Sequence, residues 1–130
     1  MSQRIATVAL LVRDYEEALL FYREKLGFAL VEDTPLGGTR RWVVVSPPGA
    51  GGAALLLARA EGAGQEAAIG RQTGGRVMLF LETSNFQTDH ARMLANGVRF
   101  LEEPRQEPYG VVAVFEDLYG NKWDLIQPKP

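Results

Sequence analysis

The apolar and polar positions of this chain set out one order of elements and then repeat it. Val8-Ala9-Leu10-Leu11-Val12 is a short apolar run of strand character. Behind it, Asp14-Tyr15-Glu16-Glu17 supplies a helix-capping residue, Asp14, with Glu17 placed to return the bond. Tyr15, Ala18, Leu19, Tyr22 and Leu26 follow at helical spacing as one apolar stripe, and Gly27 supplies the left-handed residue that ends a helix. Residues 28–32 then read as a strand, and residues 42–45 and 54–57 as two more, joined around Pro47-Pro48-Gly49.

The second copy opens with Val77-Met78-Leu79-Phe80-Leu81 and a cap in Ser84-Asn85-Phe86-Gln87. Phe86, His90, Met93 and Leu94 form its stripe, Gly97 closes it, and residues 98–102 mirror the strand after Gly27. Residues 111–116 and 123–126, joined through Leu118-Tyr119-Gly120-Asn121, complete the copy. Cap, stripe, terminal glycine and closing hairpin agree twice in order, which fixes the architecture before any motif is considered. The expectation is an α+β fold of two tandem β-α-β-β-β modules in a single domain, residues 1–130. Module one spans 1–58, a linker 59–75 and module two 76–130. The Gly-, Ala- and Gln-rich stretch between the copies has room for a short helix.

Two stretches carry a resemblance to a known family. They are Val8-x-Leu10-x-Val12-x-Asp14 with Phe21-Tyr22-x-x-x-Leu26-Gly27-Phe28, and Phe115-x-Asp117-x-Tyr119-Gly120-Asn121-x-Trp123-Asp124-Leu125-x-Gln127. Both are similar to signatures of the vicinal oxygen chelate superfamily of glyoxalases, bleomycin-resistance proteins and extradiol dioxygenases. With the duplication, the match spans nearly the whole chain. The resemblance implies that each module curls its sheet into half of a cup, giving a cupped mixed sheet that closes around a metal or a ligand. It also implies that two-module chains often form homodimers. Metal-using members draw a His from the first strand of a module and a Glu from the last, up to four ligands for Ni, Zn, Mn or Fe.

Strand alternation places those positions here. With Val8, Leu10 and Val12 toward the helix, Thr7, Ala9 and Leu11 face the cup, so the first ligand position falls on Thr7. A neutral hydroxyl competes poorly with water for a divalent cation. The second position falls on Ala54, Leu55 or Leu56, none of which carries a donor. Counting back from the helix cap puts the third on Met78, and aligning the strands without a gap puts it on Arg76. A thioether is too soft, and a guanidinium repels cations. The fourth falls on Asp124, where Glu is usual, and this is the only plausible ligand at a family position. A looser alignment brings Glu82 or Glu116 near Asp124 as a carboxylate site, although strand-end Glu side chains are more often solvated. The sole histidine, His90, sits on the second apolar stripe; it reads as a packing residue and receives no catalytic role.

Composition narrows the partners. A formal net charge of −2 with scattered basic residues builds no positive field, so nucleic acid is not expected. The absence of cysteine excludes disulfides, thiolate ligands and a Cys nucleophile. The N-terminus lacks the parts of a signal peptide and no apolar run approaches membrane-spanning length, so the expectation is a cytoplasmic protein with no membrane partner.

The ligand-binding candidates are Thr7, Arg76, Met78, Phe80, Tyr109 and Asp124, an apolar lining with one cation and one carboxylate. Arg76 is suited to hold a carboxylate or phosphate by a forked bond; an internal ion pair with Asp124 or a position on the rim are the alternatives. Trp42, Tyr109 and Trp123 are available as aromatic walls or as core. The loops 34–41 and 104–110 offer Arg40, Arg41 and Tyr109 as selectivity residues, Arg40 reading better as plain surface. Three functions fit. One is a binder of an anionic or hydrophobic small molecule. Another is a metal-free enzyme with Asp124 as the catalytic base, helped by Tyr109 and Arg76. The third is a lyase, isomerase or dioxygenase of the glyoxalase type using a divalent metal (Ni, Zn, Mn or Fe). The missing donors rank the first two above the third, with no cofactor expected.

Overall fold

In the computed structural model, which describes residues 1–49 and 51–130, the chain divides into two units, Met1–Ile69 and Gly70–Pro130. Unit one runs β1 (Thr7–Val12), α1 (Tyr15–Leu19), a π-helical segment (Leu20–Lys25), β2 (Ala29–Gly37), β3 (Arg40–Ser46), β4 (Ala54–Arg59) and α2 (Gly62–Ala68). Unit two runs β5 (Val77–Glu82), α3 (Phe86–Ala95), β6 (Arg99–Phe100), β7 (Arg105–Glu107), β8 (Gly110–Glu116) and β9 (Lys122–Pro128). The first sheet has the order β1-β4-β3-β2 and the second β5-β9-β8-β6, with β7 also paired to β8. In each, the first strand lies parallel to the last and the other pairs are antiparallel. The α+β fold is therefore the same topology built twice, and α2 fills the stretch between the copies. Ala50 lies outside the described residues.

Local chemistry accounts for the helix ends. The Asp14 carboxylate accepts from the Glu17 backbone N–H at 2.9 Å, while the Glu17 side chain pairs with Arg13 at 2.9 Å. In unit two the cap is Asn85, which accepts from the Thr88 N–H at 3.1 Å. A second cap comes from the far end of the chain, where the Gln127 side chain accepts from the Phe86 N–H at 2.7 Å. Both helices end on a left-handed glycine, Gly27 at φ 81° and Gly97 at φ 85°.

The two copies differ by one residue. Thirteen positions separate Asp14 from Gly27 and twelve separate Asn85 from Gly97. The extra residue is absorbed as the π turn at Leu20–Lys25, with Leu26 N–H bonded to Phe21 C=O at 3.1 Å. Widening the turn lets the neighbours Phe21 and Tyr22 both go inside, their rings 5.2 Å apart and edge to face, with Phe28 5.6 Å beyond Tyr22.

Each sheet buries one face under its helix. Leu10, Val12, Val43, Val45, Leu55 and Leu57 do so in unit one. In unit two, Phe86, His90, Phe100, Phe115 and Trp123 form a continuous aromatic ladder with centroid spacings of 4.5–5.7 Å. His90 is a rung of that ladder, stacked on Phe86 at 5.3 Å and edge-on to Phe100 at 4.5 Å. Leu94 lies off the stripe and is exposed.

Two segments depart from the sequence reading. Residues 34–41 form no open loop, because β2 and β3 run through them to a tight hairpin in which Gly37 and Gly38 take the positive φ the turn needs. The strand expected over 98–102 is only Arg99–Phe100. Leu101 N–H still reaches Val114 C=O at 2.8 Å, but the Val114 N–H is taken by the Glu102 side chain at 2.9 Å, so a carboxylate replaces the next ladder bond.

The turn between β8 and β9 is built on a buried carboxylate. Asp117 accepts from the N–H groups of Tyr119 and Asn121 and from the Asn121 side-chain amide, each at 2.9 Å, and both Asp117 and Asn121 are buried. The Asp-x-Tyr-Gly-Asn motif is thus the device that joins the last two strands. Asp117→Ala is expected to cost about 2–3 kcal/mol, because buried donors lose a charged partner. Urea denaturation checks this, and a loss well under 1 kcal/mol would contradict it.

Candidate ligand-binding site

Alternation along β9 gives the site its face. Trp123 and Leu125 are buried toward α3, so Asp124 and Ile126 point from the opposite side of the sheet. Asp124 lies across from Phe80 on β5 and from Val114 on β8. Phe80 is 66% exposed on that open face. Asp124 is half-buried, with Oδ1 sealed from solvent, and no hydrogen bond or ion pair holds its carboxylate among the described residues.

A second group of charges stands beside it. Arg105 donates to Glu102 at 2.9 Å and to Glu107 at 2.7 Å. Those bonds raise the Arg105 pKa, Glu102 contributing most. Its positive charge is therefore already matched by two carboxylates. Burial pushes the Asp124 carboxyl above its ordinary range; Arg105 pulls it back, Glu102 pushes it further up, and the net direction is upward.

The other candidates are distributed around this row. Met78 sits at a register shift of β5 between Val77 and Leu79. Arg76 precedes β5, and its carbonyl accepts from the Thr73 hydroxyl at 2.8 Å. Four positions separate Arg76 from Phe80, roughly 13 Å of extended chain, and the guanidinium whose charge acts on Asp124 is that of Arg105. Tyr109 is exposed at the β7–β8 turn. In unit one, Thr7 pairs with Ala54 and Ala9 with Leu56 in the parallel β1–β4 ladder. Ala9–Leu56 is the counterpart of Phe80–Asp124, which makes Leu56 the match for Asp124, while Leu55 is buried on the helix side. Trp42, opposite Thr34 on β3, is 39% exposed on the open face of that sheet. Trp123 is core. Arg41 is a structural clamp: its guanidinium bonds Asp33 and Glu16, each at 2.6 Å, and lies over the Tyr15 ring.

The donor set does not fit a divalent metal. Thr7, Leu56, Met78 and Phe80 offer no ligand of the kind Ni, Zn, Mn or Fe prefers, and Arg105 brings a positive charge near the one carboxylate. Glu116 is tied to Arg99 at 3.3 Å, and Glu82 stands one row away, opposite Ile126. Among the described residues, no three His, Cys, Asp or Glu side chains gather to hold an ion. The sequence reading missed Glu102, Arg105 and Glu107. Glu102 reads as the end of a strand and Arg105 and Glu107 as part of the loop 104–110, and only the pairing of β7 with β8 folds that loop onto the sheet. A groove of about 680 Å³ beside the start of α3, lined by Asn85, Gln87, His90, Gln106 and Gln127 among others, has its Phe86 and Thr88 donors already taken.

A family model for the Glyoxalase/Bleomycin resistance protein/Dioxygenase superfamily matches residues 4–125. An uncharacterized protein of Shewanella frigidimarina (strain NCIMB 400) is 55% identical over 128 residues, covering 98% of this chain and 95% of that protein. Among solved structures, UcmS2 is similar with a TM-score of 0.82 and 28% identity, covering 97% of this chain and 98% of its own. TnmS3, an antibiotic binding protein from Streptomyces sp. CB03234, is similar with a TM-score of 0.78 and 32% identity, covering 98% of each chain. No helix among the described residues is long and apolar enough to cross a membrane.

The raised Asp124 pKa has a signed consequence for stability. The folded state holds this proton more tightly than the unfolded chain, whose carboxyl titrates near 3.8, so the Asp124 contribution falls as pH rises through and above that value. Asp124→Asn removes this dependence. Its stability relative to the parent is expected to improve as pH rises across the carboxylate range and to level off beyond it. Denaturation over a pH series tests this; a difference that is flat or runs the other way refutes the assignment.

Proposed function

This chain belongs to the Glyoxalase/Bleomycin resistance protein/Dioxygenase superfamily, and we propose that it binds a small, largely apolar molecule on the Phe80–Asp124 face of its second sheet without a metal. The observation that carries this reading is Phe80, a large aromatic side chain 66% exposed on a sheet face and directly beside an otherwise unengaged carboxylate. Apolar surface with a few placed polar groups is how small-molecule sites are built. Trp42, exposed on the open face of the other sheet, supplies the same kind of surface. Support also comes from similarity to TnmS3, described as an antibiotic binding protein. The chemistry of the family positions points the same way: Thr7, Leu56 and Met78 cannot serve a Lewis acid, while binding needs only surface and orientation.

Sequestration of the ligand requires no turnover, and no other residue is needed to explain it. We place this activity in a homodimer, the arrangement implied by the resemblance to two-module members of the superfamily.

Elemental analysis of protein purified without chelator, followed by Ni, Zn, Mn and Fe(II) titration, is expected to give no stoichiometric metal and no thermal stabilisation. Planar polycyclic aromatic compounds are expected to raise the melting temperature, and Phe80→Ala to weaken their binding by about tenfold. Stoichiometric metal binding, or no response to any aromatic compound, would overturn the proposal.

A further inference from the structure

Resting on that reading, we infer that the ligand presents a hydrogen-bond donor, neutral or cationic, to Asp124 while an aromatic part of it lies on Phe80, and that anionic ligands are disfavoured. The two residues are direct cross-strand neighbours, so one molecule can touch both. The polarity of the site follows from which charges are already engaged. Arg105, the guanidinium whose charge acts on Asp124, is bonded by Glu102 and Glu107 at 2.9 and 2.7 Å, and Lys122, two residues along β9 on the same face, stands opposite the carboxylate of Glu116. Glu102 is further fixed by the Val114 N–H at 2.9 Å, so the clamp is anchored to the strand beside Asp124. Arg76 lies before β5 and away from the row.

Asp124 is the opposite case. Its carboxylate makes no hydrogen bond or ion pair among the described residues; Oδ1 is sealed from water, which leaves Oδ2 as the oxygen a ligand can reach. A half-buried acceptor left unused is a group whose bonding capacity is free for a ligand, and a charged acceptor makes the stronger kind of hydrogen bond. Within the row Phe80–Asp124–Val114 it is the only polar side chain. Orientation of a bound molecule is therefore set by an acceptor, which selects amines, amides and phenols over carboxylates and phosphates.

Two flat probes of matched shape separate the possibilities: 9-aminoacridine, a donor and cation, and anthracene-9-carboxylate, an anion. Fluorescence titration at near-physiological salt is expected to give about tenfold tighter binding of the amine. Asp124→Asn, which keeps the side chain's size, is expected to bring the two affinities together, chiefly by weakening the amine. Phe80→Ala is expected to weaken both alike. Thermal melts of each variant confirm folding. If the carboxylate binds as well as the amine, or Asp124→Asn leaves their ratio unchanged while Phe80→Ala weakens both, this inference falls and small-molecule binding stands. If neither probe binds, the binding proposal fails and this inference with it.

Discussion

Everything in each module depends on the parallel pairing of its first strand with its last. A parallel pair cannot be closed by a tight turn, so the chain must cross over, and here it does so through a helix and the strands that lie between. The crossover helix covers one face of the sheet; the other is exposed only in part, with Val44 and Val112 buried on it. That asymmetry turns Leu10, Leu57, Trp123 and Leu125 into core and Ala9, Leu56, Phe80 and Asp124 into open surface, although these residues alternate along the same strands. The site is thus a by-product of how the core is covered, and the same ladder that holds β5 to β9 brings Phe80 beside Asp124.

Charge is managed by the same device in both modules. Arg41 is held by Asp33 and Glu16, and Arg105 by Glu102 and Glu107. Each guanidinium thereby loses its capacity to attract an anion. Because these pairs are largely solvent-exposed, their value lies less in stability than in fixing side chains. Fold membership alone would suggest metal chemistry; the residues at the family positions suggest recognition instead, which is why the functional reading rests on side chains and not on topology.

Much of the fold was legible in the sequence because it is written in local chemistry. Asp14 before the first apolar stripe, Gly27 and Gly97 after the stripes, and Asp117 with Asn121 between the last strands act through bonds to near neighbours. The single-residue difference between the copies was also present in the residue count from cap to glycine. Its outcome as a π turn was not, because a π turn, a loop or a shifted cap would each absorb one residue, and the burial of both Phe21 and Tyr22 decides among them. The short β6 is similar: nothing in the run 98–102 announces that Glu102 will take the place of a ladder bond.

The site divides along the same line. By itself the sequence determined the duplicated α+β order, the family, and the lack of metal donors at Thr7, Met78 and the last strand of module one, since these follow from residue identity and alternation. Only the tertiary structure decided which residues meet. The register of β5 on β9 chose Phe80 over Arg76 as the neighbour of Asp124, and the folding of β7 onto β8 brought Arg105 and its two carboxylates to that face. The physical reason is that strand register and long-range side-chain pairing are set by contacts between distant segments. A slip of two residues along β5 keeps every side chain on its face yet changes its partner, and the hydrophobic pattern cannot distinguish the two.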